Sequence, residues 1–527
     1  MGKLRRIGIL DLVTHAPTRA LYARVMNPSL ASIMPQAVAV WCEELGHAVT
    51  FVCYTGFEDL HAELPAEMDL LFVGAFTQAA QLSYAISNAF RQRGAVTVLG
   101  GPHARCYPDD ARKYFDYVLG FTDKTIVEEV LRDCARHRPT GVHLSAGRQL
   151  DSLPGVRERW KFIVPTLAKA PTNIKIVPMI SSVGCPYTCS FCIDSVVDYR
   201  QMSLDQIRED LRFLSSKVRR PMVAWHDPNF GVRFDDILGA IEEAPPGRIS
   251  FAAESSLSLL SEPKLQRLKR AGFKAMLPGI ESWYSLGNKA RTGKKQGMAK
   301  VEQVSDHVNM ILRYIPYVQT NFVLGLDDDE GAEPFELTKR FLDRTPGAFP
   351  GYSLLSAFGE AAPLNLDLQR AGRVLPFPFH FLNNNQAMNV RPLNYGWTEF
   401  YDQLIDLTRY SFSWKNMIRR ARGTSLGFAT WLNLVRGVSS EGFGRIHYYT
   451  LIRQLLDSDK SIRAFFEGET RDIPLFYAER IKRDLGPWWS FLPPTALEHD
   501  SEAYLRKQTV TVPLTRSHGA TKRPSTR

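Results

Sequence analysis

Short apolar runs alternate with amphipathic stretches through the first quarter of the chain. The runs fall at 7–13, 48–54, 69–75 and 95–99, with a shorter one at 116–119. Between them, 34–45 and 78–93 repeat apolar residues at helical spacing and stop at Gly46 and Gly94, and 124–137 repeats the pattern once more. Buried strands alternating with helices of this length predict a parallel sheet covered on both faces. The expected architecture is α/β, a doubly wound layer of the Rossmann or flavodoxin kind.

The rhythm breaks over 138–176, where Pro139, Pro154, Pro165 and Pro171 punctuate the chain and predict a linker packed on its neighbours. Alternation resumes at Val177. Strands are expected near 177–183, 222–226, 249–254, 274–280, 317–324 and 351–356, and helices near 203–217, 234–243, 262–271, 298–313 and 332–344. Such repeated units predict a (β/α)6 partial TIM barrel, whose site belongs at the C-terminal ends of its strands. From 358 to 505 the pattern is mainly helical and rich in aromatics. The last stretch, 506–527, is basic, carries Arg516, Lys522, Arg523 and Arg527 without an acid, and reads as disordered. The expected divisions are therefore 1–137, 138–176, 177–357, 358–505 and 506–527.

Composition narrows the class without naming a chemistry. Hydrophobic residues are 44% and charged residues 23% of 527, as in globular proteins, and no apolar run has the length of a membrane span. With no cleavage signal at the start, a cytoplasmic monomer is expected, with no nucleic-acid partner. The net charge of +10 is concentrated in the tail and in 411–455. There Lys415, Arg419, Arg420, Arg422, Arg436, Arg445 and Arg453 face Glu441 alone, among aromatic residues. Solvated helix faces over an aromatic core would explain this stretch. An anionic substrate or peripheral contact with an acidic membrane is the alternative. Trp397, Trp414, Trp431, Trp488 and Trp489 likewise suit either an aromatic core or a bulky apolar substrate.

Cysteine usage changes the picture. Cys185, Cys189 and Cys192 lie in one loop, and the next cysteine toward the N-terminus is Cys134. Iron–sulfur clusters are held by thiolates; three thiolates on a four-iron cubane leave one iron open, and an open position is the mark of a catalytic metal site. Structural zinc closes with four ligands at paired spacings, which this stretch lacks. The loop directly follows the first expected barrel strand. Motif and place together resemble the radical S-adenosylmethionine (SAM) superfamily.

That resemblance implies a [4Fe–4S] cluster on Cys185, Cys189 and Cys192, with the amino and carboxylate groups of SAM on the open iron. An electron from a low-potential donor of the flavodoxin or ferredoxin type would cleave SAM to a 5′-deoxyadenosyl radical. Phe191 stands where the family contacts adenine. The segment from Trp225 to Phe230 resembles a "DDNF" strand end and brings Asp227 and Asn229, with Pro228 replacing the usual second acid. Gly279, Glu281 and Ser282 resemble a "GIES" segment, and Glu254 ends the third strand. The run from Leu324 to Asp329 resembles the adenine-side segment.

The first sheet resembles the cobalamin-binding domain that precedes the barrel in one branch of this superfamily. Phe76, Thr77, Gly100, Gly101, His103 and Gly120 are the implied contacts, glycines admitting a flat macrocycle and Thr77 its nucleotide tail. Two departures stand out. The D-x-H-x-x-G motif is absent, since Asp11 and His15 have the wrong spacing, so cobalt without a protein histidine is expected. Gly120 is followed by Phe121, Thr122 and Asp123 where relatives show an acidic turn. The branch implies a class B-like methyltransferase acting on an unactivated carbon of a small or lipid-like metabolite. The same cofactors also serve oxidative cyclisation and rearrangement. A non-catalytic cobalamin or iron–sulfur sensor or carrier is a further alternative, opposed by the intact cysteine loop. Methylthio transfer to RNA would need a second cysteine triad, and Cys42, Cys53 and Cys106 do not fit its spread.

Overall fold

The computed structural model describes residues 5–135, 140–146, 150, 152–171, 174–243, 248–423 and 427–501. The predicted disordered tail, 506–527, lies outside these residues.

Six parallel strands form the first sheet: β1 (Arg6–Leu12), β2 (Ala48–Tyr54), β3 (Leu70–Ala75), β4 (Val96–Gly100), β5 (Tyr117–Leu119) and β6 (Val142–Leu144). Their order is β2-β1-β3-β4-β5-β6. Strands β2 and β3 flank β1 on opposite sides, so the chain reverses direction across the sheet there. A reversal of this kind opens a crevice at the C-terminal ends of the strands. Both faces are covered. Ile7, Ile9, Phe72, Val96 and Val98 pack with helix Ile33–Glu44, while Leu10, Val73 and Leu99 pack with helix Ala80–Gln92.

Two elements occupy the stretch whose prolines suggest a linker. One is β6, which extends the sheet beside β5. The other is helix Val156–Lys169, with Pro165 inside it. Three residues are too short for a strand pattern to stand out, and an internal proline ordinarily argues against a helix. Tertiary packing overrides both signals. The helix buries Phe162, Ile163 and Leu167 between helix Ile33–Glu44 and helix Leu204–Lys217, joining the two halves of the molecule. Buried Arg159 donates to Gln36 Oε1 at 2.8 Å and to the Pro154 carbonyl at 2.9 Å.

The second sheet contains β7 (Ile176–Met179), β10 (Met222–Trp225), β11 (Ser250–Ser256), β12 (Phe273–Glu281), β13 (Tyr317–Leu324) and β14 (Phe349–Leu354). All are parallel, in the order β14-β13-β12-β11-β10-β7. Among the described residues β7 and β14 do not pair, which leaves a partial barrel. Val223, Trp225, Phe251, Val318 and Phe322 are buried on the helix-covered face. The alternate positions face the interior, Ala224, Ala252, Gln319 and Asn321 partly open and Glu254 exposed. The first expected strand, 177–183, is interrupted after Met179. The chain then forms β8 (Ser182–Val183), which pairs antiparallel with β9 (Arg200–Gln201). This small ladder pins both ends of the cysteine loop. Beyond it lie mainly helices, among them Trp397–Ser411, Trp414–Arg422, Phe428–Val438 and Phe443–Ser458.

Candidate cluster and cofactor site

Backbone geometry gathers the cysteines. Gly184 enters the loop at φ +71°, and a side chain there would lie 2.3 Å from the Asp198 carbonyl. The Cys192 N–H donates to the Cys189 carbonyl at 3.0 Å, and the Cys185 N–H to the Val197 carbonyl at 3.3 Å. Cys189 is buried, while Cys185 and Cys192 are half-buried. Burial raises the Cys189 thiol above its ordinary pKa and pushes Cys192 up to about 11; the Lys289 ammonium partly opposes both shifts. Among the described residues no three acidic, His or Cys side chains converge on a single ion. A cubane makes a different demand, because each thiolate takes its own iron. Three soft donors on one constrained loop suit that demand.

Three parts of the chain hold this loop. Asn229, just after β10, lies 3.8 Å from Cys185 Sγ and accepts the Ser256 N–H at 2.9 Å. Arg105, just after β4, donates to the Ile193 carbonyl at 3.2 Å and pairs with Asp194 at 3.6 Å. The segment after β14 contributes a backbone bond from Leu364 to the Ser190 carbonyl at 3.0 Å, and one from Glu360 to Cys106 in the first sheet domain. The loop is therefore the meeting point of all three regions.

Beside it, Glu281 ends β12 with φ +66°, a conformation that side chains rarely adopt. Its carboxylate accepts from Lys289 Nζ at 2.6 Å. Burial works against the Lys289 charge, but Glu281 and the nearby thiols outweigh it and raise its pKa. Glu254 projects into the barrel interior close to this pair with its side chain open to solvent there; desolvation by the surrounding wall, then Glu281, raises its carboxyl above the usual range. A carboxylate and an ammonium beside the cysteines complement a zwitterionic amino acid.

A cavity of about 560 Å³ opens next to the loop, within the usual range of cofactor pockets. Ile9, Val73, Phe76, Gly100 and Gly120 line its sheet side, and Ile180, Val183 and His226 its barrel side. It occupies the crevice at the β1–β3 reversal. Gly101 turns the chain at φ +94°, and a Cβ there would meet the Ala75 carbonyl at 2.8 Å. A Cβ on Gly100 would meet nothing within 4 Å. The wall is thus mostly apolar, with bare backbone at the strand end, a cradle suited to a broad flat ligand.

Residues 179–338 match the radical SAM superfamily profile. The matched span begins at the last residue of β7 and contains the cysteine loop and the Glu281 turn. These residues form a radical SAM domain. Similarity extends beyond it. A bacteriochlorophyllide d C-12(1)-methyltransferase of Chlorobaculum tepidum is 21% identical over 374 residues, covering 70% of this chain and 80% of its own. A hopanoid C-2 methylase of Rhodopseudomonas palustris is 26% identical over 338 residues, covering 61% of this chain and 58% of its own. Among solved structures, TsrM, a radical SAM methyltransferase of Kitasatospora setae, superposes with TM-score 0.52 at 14% identity, covering 74% of this chain and 80% of its own. OxsB, a cobalamin-dependent SAM radical enzyme, superposes with TM-score 0.55 at 12% identity, covering 97% of this chain and 81% of its own. At these identities the likeness is one of fold.

The remaining expected contacts divide by position. Phe191 is half-buried on the radical SAM loop. Gly279 lies against the Glu281–Lys289 pair, where a Cβ would sit 2.1 Å from Glu281 Oε1. Ser282 Oγ accepts from the backbone of Tyr284 at 3.0 Å and caps the turn. Asp227 is turned away from open space. It is 2% exposed, and its carboxylate accepts from the Ser181 N–H and from the hydroxyls of Ser181 and Ser182 at 2.5 and 2.6 Å. It braces the strand interruption that launches the cysteine loop. Phe76, Gly100, Gly101 and Gly120 line the cavity, whereas Thr77 and His103 do not. Thr77 is buried and bonds the Cys106 thiol. His103 is wholly buried with Nε2 2.6 Å from the Tyr84 hydroxyl, because the short helix Pro102–Cys106 turns it into the core. His15 stacks edge-on with His380 at 4.4 Å and is not on the cavity wall.

Arg105 and Lys289 had no place in the sequence reading, and His226 stood in the "DDNF"-like segment without a role of its own. Lys289 follows the "GIES" segment by a few residues and could have been found from its charge. The other two are recognised only once the domains meet.

Proposed function

We propose that this protein is a cobalamin-using radical SAM methyltransferase that methylates an unactivated carbon of a small or lipid-like molecule. One observation carries the reading: the cavity at the first sheet's crevice is also walled by the barrel beside the cysteine loop. The crevice is thereby a neighbour of the cysteine loop, its wall reaching the flank of that loop at Ile180, Val183 and Arg105. When bound, the cluster and SAM supply a 5′-deoxyadenosyl radical, and cobalamin supplies the methyl group.

The chain's own residues do the positioning. Cys185, Cys189 and Cys192 hold the cluster. Lys289 and Glu281 offer opposite charges to the carboxylate and ammonium of SAM, with Glu254 beside them. Gly100, Gly101 and Gly120 let backbone approach the corrin, and Phe76 covers its edge. Apolar walls exclude water, which protects a carbon radical from side reactions. Bacteriochlorophyllide d and a hopanoid, named for the two methylating relatives, are consistent with a bulky substrate. None of the tryptophans lines the cavity: Trp397 and Trp488 are buried among other aromatics, and Trp414 is on the surface.

Anaerobic reconstitution tests the proposal. The expected result is about four irons per chain, one bound cobalamin, and 5′-deoxyadenosine formed with a low-potential reductant such as reduced flavodoxin. Iron without bindable cobalamin would refute methyl transfer from cobalt. A fully loaded cluster that yields no 5′-deoxyadenosine would remove the radical reading.

A further inference from the structure

Several large apolar side chains left exposed on the helical region share one face. Trp414 is 62% exposed, Val438 47%, Ile418 45% and Phe443 36%. Trp414 and Ile418 lie four residues apart on helix Trp414–Arg422, and Arg422 continues the same stripe. The Trp414 and Phe443 rings meet edge-on at 5.6 Å. Met417 packs directly on Gly437, where a Cβ would approach its sulfur to 3.1 Å, so helix Phe428–Val438 lies alongside and adds Val438.

Two of the cations around this patch are not neutralised. Lys415 and Arg422 are exposed and make no ion pair among the described residues. Arg419 is held by Asp343 at 2.9 Å. Glu441, the sole acid between 411 and 455, is drawn inward to Arg436 and to the Tyr22 hydroxyl. The result is an aromatic and aliphatic centre with free cations at its rim.

We propose that this face docks on an anionic lipid bilayer. Trp414 and Phe443 enter the boundary between headgroups and acyl chains, with Ile418 and Val438 between them, and Lys415 and Arg422 meet the lipid phosphates. An acidic protein surface would satisfy the cations but leave the four apolar side chains without a matching environment. The bilayer satisfies both. Helix Phe428–Val438 also carries Arg436, which donates to the Tyr317 hydroxyl and to Gln319 in β13, each at 2.5 Å. The docking face is thus tied to the barrel wall by one buried side chain. The inference does not depend on the identity of the cofactors.

The test uses the full chain with vesicles of phosphatidylcholine alone or mixed with phosphatidylglycerol. Wild-type protein is expected to sediment with the mixed vesicles, and less so as salt rises. Trp414→Ala with Phe443→Ala should weaken partition about tenfold or more. Lys415→Gln and Arg422→Gln should each weaken it about fivefold. Circular dichroism and iron content of these surface variants should match wild type. Quenching by brominated lipid, compared between wild type and Trp414→Phe, reports this side chain itself and separates the face from the basic 506–527 stretch. Absence of binding to mixed vesicles, or apolar variants that bind as well as wild type, would overturn the proposal. So would a wild-type dimer that the double variant converts to monomer, since the face would then belong to a second copy.

Discussion

Adjacent glycines at the end of β4 should respond to alanine in opposite ways. At Gly101 the backbone has φ +94° and ψ −173°, a region essentially confined to glycine. Holding alanine there costs about 1–3 kcal/mol. The added Cβ would also lie 2.8 Å from the carbonyl oxygen and 3.0 Å from the nitrogen of Ala75, which are strand backbone and cannot swing aside. Overpacking of this kind costs roughly another 1–3 kcal/mol. Gly101→Ala is therefore expected to destabilise the protein by about 2–6 kcal/mol. At Gly100 the same methyl group meets nothing within 4 Å and points to the cavity wall. Gly100→Ala should leave stability within about 0.5 kcal/mol of wild type. A methyl on a surface that receives the corrin should nevertheless weaken cobalamin binding about tenfold. Urea unfolding followed by far-ultraviolet dichroism reads the first effect, and absorption titration with hydroxocobalamin reads the second. Equal stabilities for the two variants would refute the backbone argument. Unchanged cobalamin affinity in Gly100→Ala would refute the cradle.

Other outcomes follow from the same geometry. Cys189→Ala should abolish cluster loading, read as loss of iron and of the charge-transfer absorption, while cobalamin binding changes less than about threefold; joint loss would show that the loop also supports the cavity. Arg105→Ala removes the Ile193 and Asp194 contacts and should cost only about 1 kcal/mol of stability. It should accelerate iron release to a chelator about threefold or more, and an unchanged rate would dismiss Arg105 as a clasp on the loop. His499 is buried and stacks on Phe379 at 4.3 Å. Burial holds its pKa at about 3, against about 6.5 when unfolded. Below pH 6.5 the unfolded chain therefore takes a proton that the folded chain refuses. Stability is present above that pH and falls as pH drops toward 3. Between pH 7.5 and 5.5 this one group costs about 1.4 kcal/mol. His499→Phe keeps the ring packing, so its stability should fall about 1.4 kcal/mol less than wild type over that interval in paired urea titrations; identical slopes would contradict a buried neutral imidazole.

What could be read along the chain and what could not differ in physical range. The β12 and β13 strands and the helices of the barrel were legible because their periodicities of two and 3.6 are local. The linker reading missed β6 and helix Val156–Lys169, whose stability comes from packing against helix Ile33–Glu44 more than a hundred residues away in sequence. Asp227 shows the same limit at the site. Its position at a strand end made it a plausible ligand contact, but the interruption after Met179 brings Ser181 and Ser182 onto its carboxylate.

The amino-acid sequence by itself determined most strands and helices of the two sheets and the cysteine triad, because strand alternation, helical spacing and C-x3-C-x2-C are relations between near neighbours. Tertiary structure alone decided that the crevice of the first sheet opens beside the triad and that Arg105 clasps the loop. It also turned His103 into the core and assembled Trp414, Val438 and Phe443 into one face. Each of these joins residues from different elements, and their distances depend on how the sheets and helices pack.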